Sequence, residues 1–188
     1  GGKITGNKVA PALKADGTPV NTLLSGGAVA ALGAKTTFNM YGGEISGNEA
    51  QSVTYEKDGK NTTVGGNGGA IYIEGTANIT GGKITGNTGA REGGAIRIKG
   101  GKALLKNVEI TGNTGGYASA IYIDSKTQLT VDSCVITGNV AITDFGAVYI
   151  PNSGSKLTLK GNVQIKDNVR GTEKVAQNEA VGEFTNLG

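Results

Sequence analysis

The chain has 188 residues, enough for one domain or one stretch of a longer solenoid. Hydrophobic residues make up 37% and aromatic residues 5%, beside 34 glycines and only 3 prolines, yet the apolar positions recur too regularly for disorder. The formal charge of +3 comes from 18 basic and 15 acidic residues without runs, so nothing points to nucleic acid or membrane insertion, and no apolar stretch reaches the ~18 residues of a membrane span.

The first element, Ile4-Thr5-Gly6-Asn7, is a phrase that returns as Ile45-Ser46-Gly47-Asn48, Ile84-Thr85-Gly86-Asn87, Ile110-Thr111-Gly112-Asn113 and Ile136-Thr137-Gly138-Asn139. A worn sixth copy reads Ile165-Lys166-Asp167-Asn168. Between the copies runs a second phrase: Gly26-Gly27-Ala28-Val29, Gly68-Gly69-Ala70-Ile71, Gly93-Gly94-Ala95-Ile96, Ser119-Ala120-Ile121 and Gly146-Ala147-Val148. The isoleucines step by 41, 39, 26, 26 and 29 residues, a period that marks a stacked repeat. No rung shows the 3.6-residue period of an amphipathic helix. Short runs of Ile, Val, Thr and Tyr punctuated by Gly, Asn, Asp and Ser predict an all-β, right-handed parallel β-helix. We expect about six rungs of three short strands over residues 1–188, with two hairpin-like insertions at 8–25 and 49–67.

Alternation along each strand assigns the faces. Inward columns are expected from Val29, Ile71, Ile96, Ile121 and Val148, and from Ala31, Ile73, Ile98, Ile123 and Ile150. A second strand supplies Phe38, Ala77, Ala103, Leu129 and Leu157, then Met40, Ile79, Leu105, Val131 and Leu159; a third supplies the six isoleucines. Cys134 falls in a column with Gly82, Val108 and Val163 and reads as a buried small residue; one cysteine and no histidine leave no disulfide framework, metal site or cofactor to expect. The asparagines Asn7, Asn48, Asn87, Asn113, Asn139 and Asn168 recur at one turn, where Asn tolerates the left-handed conformation and its amide can bond its own backbone. Stacked about 4.8 Å apart, they form a structural ladder. Outward charges alternate in sign at Lys3, Glu44, Lys83 and Glu109, and at Glu74, Lys99 and Asp124, which supports register.

Two features bear on recognition. Both insertions carry an Asp-Gly turn, Asp16-Gly17 and Asp58-Gly59; strand-like residues around the second, including Tyr55, make it a hairpin, and Tyr55 and Asp58 become candidate binding residues. The outward column Tyr72, Arg97, Tyr122 and Tyr149 predicts a cation–π stripe, either an ordinary strand face or a surface against which sugar rings lie. Catalysis finds little support. Arg97-Ile98-Lys99 matches a polygalacturonase fragment, but the paired aspartates and the histidine motif of those enzymes have no counterpart. Glu74 and Asp124 lie two rungs apart with Lys99 between them, which would hold both ionised. A polysaccharide lyase or hydrolase is thus a minor alternative. So is an ice-binding array on Thr5, Ser46, Thr85, Thr111 and Thr137, because Lys and Glu flank that column.

The pairing of Gly-Gly-Ala-Ile with Ile-Thr-Gly-Asn over residues 1–168 resembles the β-helix repeats of large bacterial surface and adhesin-like proteins. It is also similar to the polymorphic outer-membrane protein repeats, which carry Phe where this chain has Ile. The resemblance implies an exported, extracellular or cell-surface scaffold, non-catalytic, whose partner is a host or cell-surface glycan or protein. No functional residue carries over. Gly1-Gly2-Lys3-Ile4 starts within a rung and the pattern fades over residues 169–188, so a segment of a longer rod, or a fibre subunit associating end to end, is the further expectation.

Overall fold

A computed structural model describes residues 1–144, 146–150 and 154–171, with the backbone of strands Val175–Ala176, Ala180–Val181 and Phe184–Asn186. The repeated isoleucines lie directly over one another: Ile4 pairs in register with Ile45, then Ile84, Ile110, Ile136 and Ile165. Their strands, from Lys3–Thr5 to Gln164–Lys166, form a parallel first wall of six. A long third wall holds the other two predicted strand stacks. Val29–Met40 and Ile71–Thr80 each run across both stacks, and later rungs break at a corner, as in Ile96–Lys99 and Lys102–Lys106. Every expected inward column is in register along these ladders as far as they extend.

The second wall goes beyond the expected three strands per rung. It consists of two-residue strands just after each asparagine: Lys8–Val9, Glu49–Ala50, Thr88–Gly89, Thr114–Gly115, Val140–Ala141 and Val169–Arg170. Two residues are too few to carry a period, so the apolar pattern does not announce them. After Val169–Arg170 the chain adds Val175–Ala176 in antiparallel sense. Residues 32–35 also bulge from the first rung of the third wall, four residues opposite the single Glu74 between Ala31 and Thr36.

The core is almost wholly aliphatic. Ile71, Ile73, Ile84, Ile96, Ile98, Ile110, Ile121, Ile123 and Ile136 are fully buried, and Cys134 lies among them as a free thiol whose titration burial pushes up. Small residues are required where walls meet. A Cβ on Gly94 would stand 2.2 Å from the Ser119 carbonyl of the next rung, so only hydrogen fits.

The asparagine ladder is buried from Asn48 to Asn168 and runs in one sense. Asn113 shows the pattern. Its backbone N–H and Nδ2 both donate to Asn139 Oδ1 at 2.9 Å, and its own Oδ1 accepts the same pair from Asn87. Nδ2 also reaches the carbonyls of Ile84 and Thr111. The left-handed conformation falls on the preceding residue and not on the asparagine: Gly6, Gly47, Gly86, Gly112 and Gly138, and Asp167 in the worn copy, have φ between 56° and 68°. That turn points each amide inward. Replacing Asn113 by Ala should cost about 3 kcal/mol or more in urea unfolding, because Asn87 and Asn139 are both left with buried unpaired groups. Asn7→Ala, at the exposed end of the same ladder, should cost under about 1 kcal/mol.

Candidate functional site

Both insertions leave the column at one corner, between the second and third walls. Lys8–Val9 and Glu49–Ala50 belong to the second wall, and Ser25 and Asn67 rejoin the ladder, so the projecting arms are shorter than the insertions predicted at 8–25 and 49–67. The second arm is the expected hairpin: Ser52–Lys57 pairs antiparallel with Lys60–Gly65, and Asp58, at φ 52°, and Gly59 make its turn. Tyr55 sits opposite Thr62 and is half-buried, while Asp58 is exposed at the tip. The first arm departs from the hairpin expectation. A single antiparallel bridge, Leu13 to Pro19, closes it around Asp16-Gly17, where Asp16 bonds the hydroxyl and N–H of Thr18. Prolines at 11 and 19 withhold the donors a longer ladder would use. Leu13 and Val20 remain exposed on it.

Behind the arms the rungs stack Ser25, Asn67 and Glu92 as successive bridges, with Asn67 Nδ2 donating to Ser25 Oγ at 3.1 Å. Glu92 is the most buried carboxylate among the described residues, at 8% exposure. Its Oε2 lies 2.5 Å from Arg97 Nη1, an ionic contact outside hydrogen-bond geometry, and its Oε1 accepts from Arg91 Nη2 at 3.1 Å. Arg91 Nη1 reaches on to the Thr63 carbonyl of the hairpin, at 3.3 Å. Arg97 Nη2 donates to both oxygens of Asp124, at 3.1 and 3.0 Å. One guanidinium thus links two carboxylates, and one of those is tied through Arg91 to an arm.

The predicted tyrosine column forms around Arg97. Its guanidinium lies 5.7 Å from the Tyr72 ring centre and 5.5 Å from that of Tyr122, and Tyr122 and Tyr149 stack at 4.6 Å. The rings therefore turn faces to one another along the column. Tyr72 is buried and Tyr122 and Tyr149 are half-buried, so a sugar would meet edges instead of an open aromatic platform. Burial raises Tyr72, reinforced by its hydrogen bond to Glu74, and pushes Tyr122 up to about 12, with Glu92 adding to the effect.

The remaining candidates resolve simply. Glu74 accepts from Gly33 N–H, the Tyr72 hydroxyl and Lys99, and the Gly33 N–H foremost, then Lys99, hold its carboxyl below the usual range. Lys99 does not bridge Glu74 to Asp124 as the column order had implied, because Asp124 turns to Arg97. The Thr column bonds to itself, Thr111 to Thr85 and Ser46 to Thr5, beside the ion pairs Lys3–Glu44 and Lys83–Glu109. At the first rung an apolar cleft of about 320 Å³ opens between Ile4, Phe38, Met40, Tyr41 and Ile45. Among the described residues no three His, Cys, Asp or Glu side chains group as a metal site, and no helix is long and apolar enough to cross a membrane.

Residues 26–180 match the family described as right handed beta helix region. The chain belongs to that family. No curated protein and no solved structure matches it. For a right-handed β-helix, the sequence reading missed one residue that organises the corner, Glu92. The signal was the residue just before each Gly-Gly-Ala, where Ser25 and Asn67 also stand.

Removing Arg97 leaves Glu92 buried without its main counter-charge. Arg97→Ala should lower stability by about 3–5 kcal/mol in denaturant unfolding, and Lys should not restore it, since a point charge cannot span two carboxylates. Tyrosines with raised pKa favour their protonated form in the fold. Their contribution holds below the ~10 of a free phenol and is lost as pH rises toward 12. A phenolate absorbance titration should show a phase near 12 that Tyr122→Phe removes.

Proposed function

We propose that this β-helix is a non-catalytic scaffold segment of an extracellular or cell-surface protein, an adhesin-like rod that displays its two arms to a host or cell-surface glycan or protein. The observation that carries this reading is the emergence of both arms from one corner on consecutive rungs, above a buried charge cluster that braces the second arm. A rigid column with irregular loops on one edge is the usual way a solenoid presents a binding surface. Recognition is assigned to the parts of 8–25 and 49–67 that project, with Tyr55 and Asp58 on the hairpin.

A second reading is end-to-end association, in which the parallel ladders of one copy continue into those of another. Sedimentation that stays monomeric at high concentration would dispose of it. The glycan reading of the tyrosine column is the weaker alternative, because its ring faces are already engaged.

Replacing residues 10–24 and 52–65 by the short link found in the third rung should leave the thermal transition within a few degrees of the parent. The same variant should lose binding to cells and to arrayed glycans and matrix proteins. Retained binding would place recognition elsewhere, and loss of the cooperative transition would make the arms structural.

A further inference from the structure

We propose that the outer face of the second strand stack in the third wall is a binding surface for a polyanionic polysaccharide. The sequence offers no basic run, but the stacking assembles one from residues far apart in the chain. Lys102, Gln128 and Lys156 occupy one register position on successive rungs, and Lys106, Asp132 and Lys160 another. Lys126 projects from the adjoining turn, and all five lysines are exposed. Asp132 is the one carboxylate on this face among the described residues, 3.5 Å from Lys106. Five lysines against one aspartate leave a local surplus of four, in a chain whose total is +3, so the remaining surface is close to neutral or slightly acidic.

The layout favours a chain-like anion over a small one. Lysines at one register position are two rungs apart, about 10 Å, and the two positions are separated by about 13 Å along the strand. That is a spread of point charges, with no converging pocket for a single phosphate. Hydroxyls and amides accompany them: Gln128 stands in the first lysine column, Thr130 and Thr158 in the column between the two lysine columns, where Leu104 stands on the third rung, and Thr76, Asn78, Thr37 and Asn39 on the two preceding rungs. Asn78 Nδ2 already donates to Asn39 Oδ1, so an amide pair lies beside the basic patch, one rung before Leu104. Such groups suit sugar hydroxyls. A nucleic acid would be better met by arginine forks and stacking rings, and the described residues of this face have neither. A membrane would need apolar anchors, and the exposed large hydrophobic residues lie elsewhere.

The inference is independent of the arms, and the test keeps the two apart. Binding of heparin and of polygalacturonate, a sulfated and a carboxylated chain, is measured by calorimetry at low and raised salt. The intact protein should bind at least one of them, and raised salt should weaken that binding. The combined variant Lys102→Gln, Lys106→Gln, Lys156→Gln, Lys160→Gln should bind at least about tenfold more weakly with an unchanged melting temperature, because these side chains are solvated. Lys57→Gln with Lys60→Gln on the hairpin, and the protein lacking both arms, should each stay within about twofold of the parent. Failure of both polysaccharides to bind, or a four-lysine variant as tight as the parent, would overturn the proposal. Equal or tighter binding to duplex DNA or to phosphatidylserine vesicles would overturn the assignment to polysaccharide.

Discussion

A buried amide left with half its hydrogen bonds unmade is costly, and this fold is organised around avoiding that cost. From Asn48 to Asn139 each side chain spends its oxygen on the rung before it and its nitrogen on the rung after it and on nearby carbonyls. No asparagine is satisfied within its own turn. The aliphatic columns supply most of the driving force, and they oppose a one-residue slip, but sliding by two residues keeps the same face inward. The ladder resists that slip too, because it would put Thr, Ser or Lys opposite an amide. Register is therefore fixed by polar groups inside an apolar column, and the isoleucines stack where the asparagines hold them.

The corner that carries the arms follows a related logic with charge in place of amides. Glu92 and Asp124 converge on Arg97 from neighbouring rungs, and the ring faces of Tyr72 and Tyr122 close the guanidinium on two sides. Low exposure makes these contacts count for more than the ion pairs along the first wall, Lys3–Glu44 and Lys83–Glu109, which stand in solvent. The lysines of the third wall have a different character again. They are repeated like the core positions but mostly unpaired with carboxylates among the described residues, and their charge is offered outward.

Much of this was written in the period of the chain. The phrase ending in Asn repeats on every rung and the Gly-Gly-Ala phrase, or its shortened form, on the first five, and parallel stacking turns that repetition into columns, so the core could be named residue by residue. The second wall was hidden because two residues carry no alternation. The first arm has the same Asp-Gly turn as the second, but its prolines and the absence of β-branched residues before the turn, at 10–15, stop a ladder from growing. Glu92 was missed because it appears once. A repeat reading finds what recurs, whereas a buried charge cluster is built from departures: Ser25, Asn67 and Glu92 differ at one position on three rungs. The tyrosine column was foreseen, yet only coordinates show whether rings stack face to face or lie open. The basic face was invisible to a search for runs because the lysines of each column, Lys102 with Lys156 and Lys106 with Lys160, are separated by two whole ladder steps in the sequence and come onto one face only after winding.

The one-way sense of the ladder has a kinetic corollary. A finished rung offers amide oxygens to one side and amide hydrogens to the other, so its two borders are chemically different templates. An arriving turn must satisfy both kinds of contact at once, since a half-seated asparagine gains little and still loses water. Winding should then advance in whole turns from an ordered border, with little to gain from partial intermediates. A chain that emerges from one end and settles turn by turn would meet a ready partner at each step.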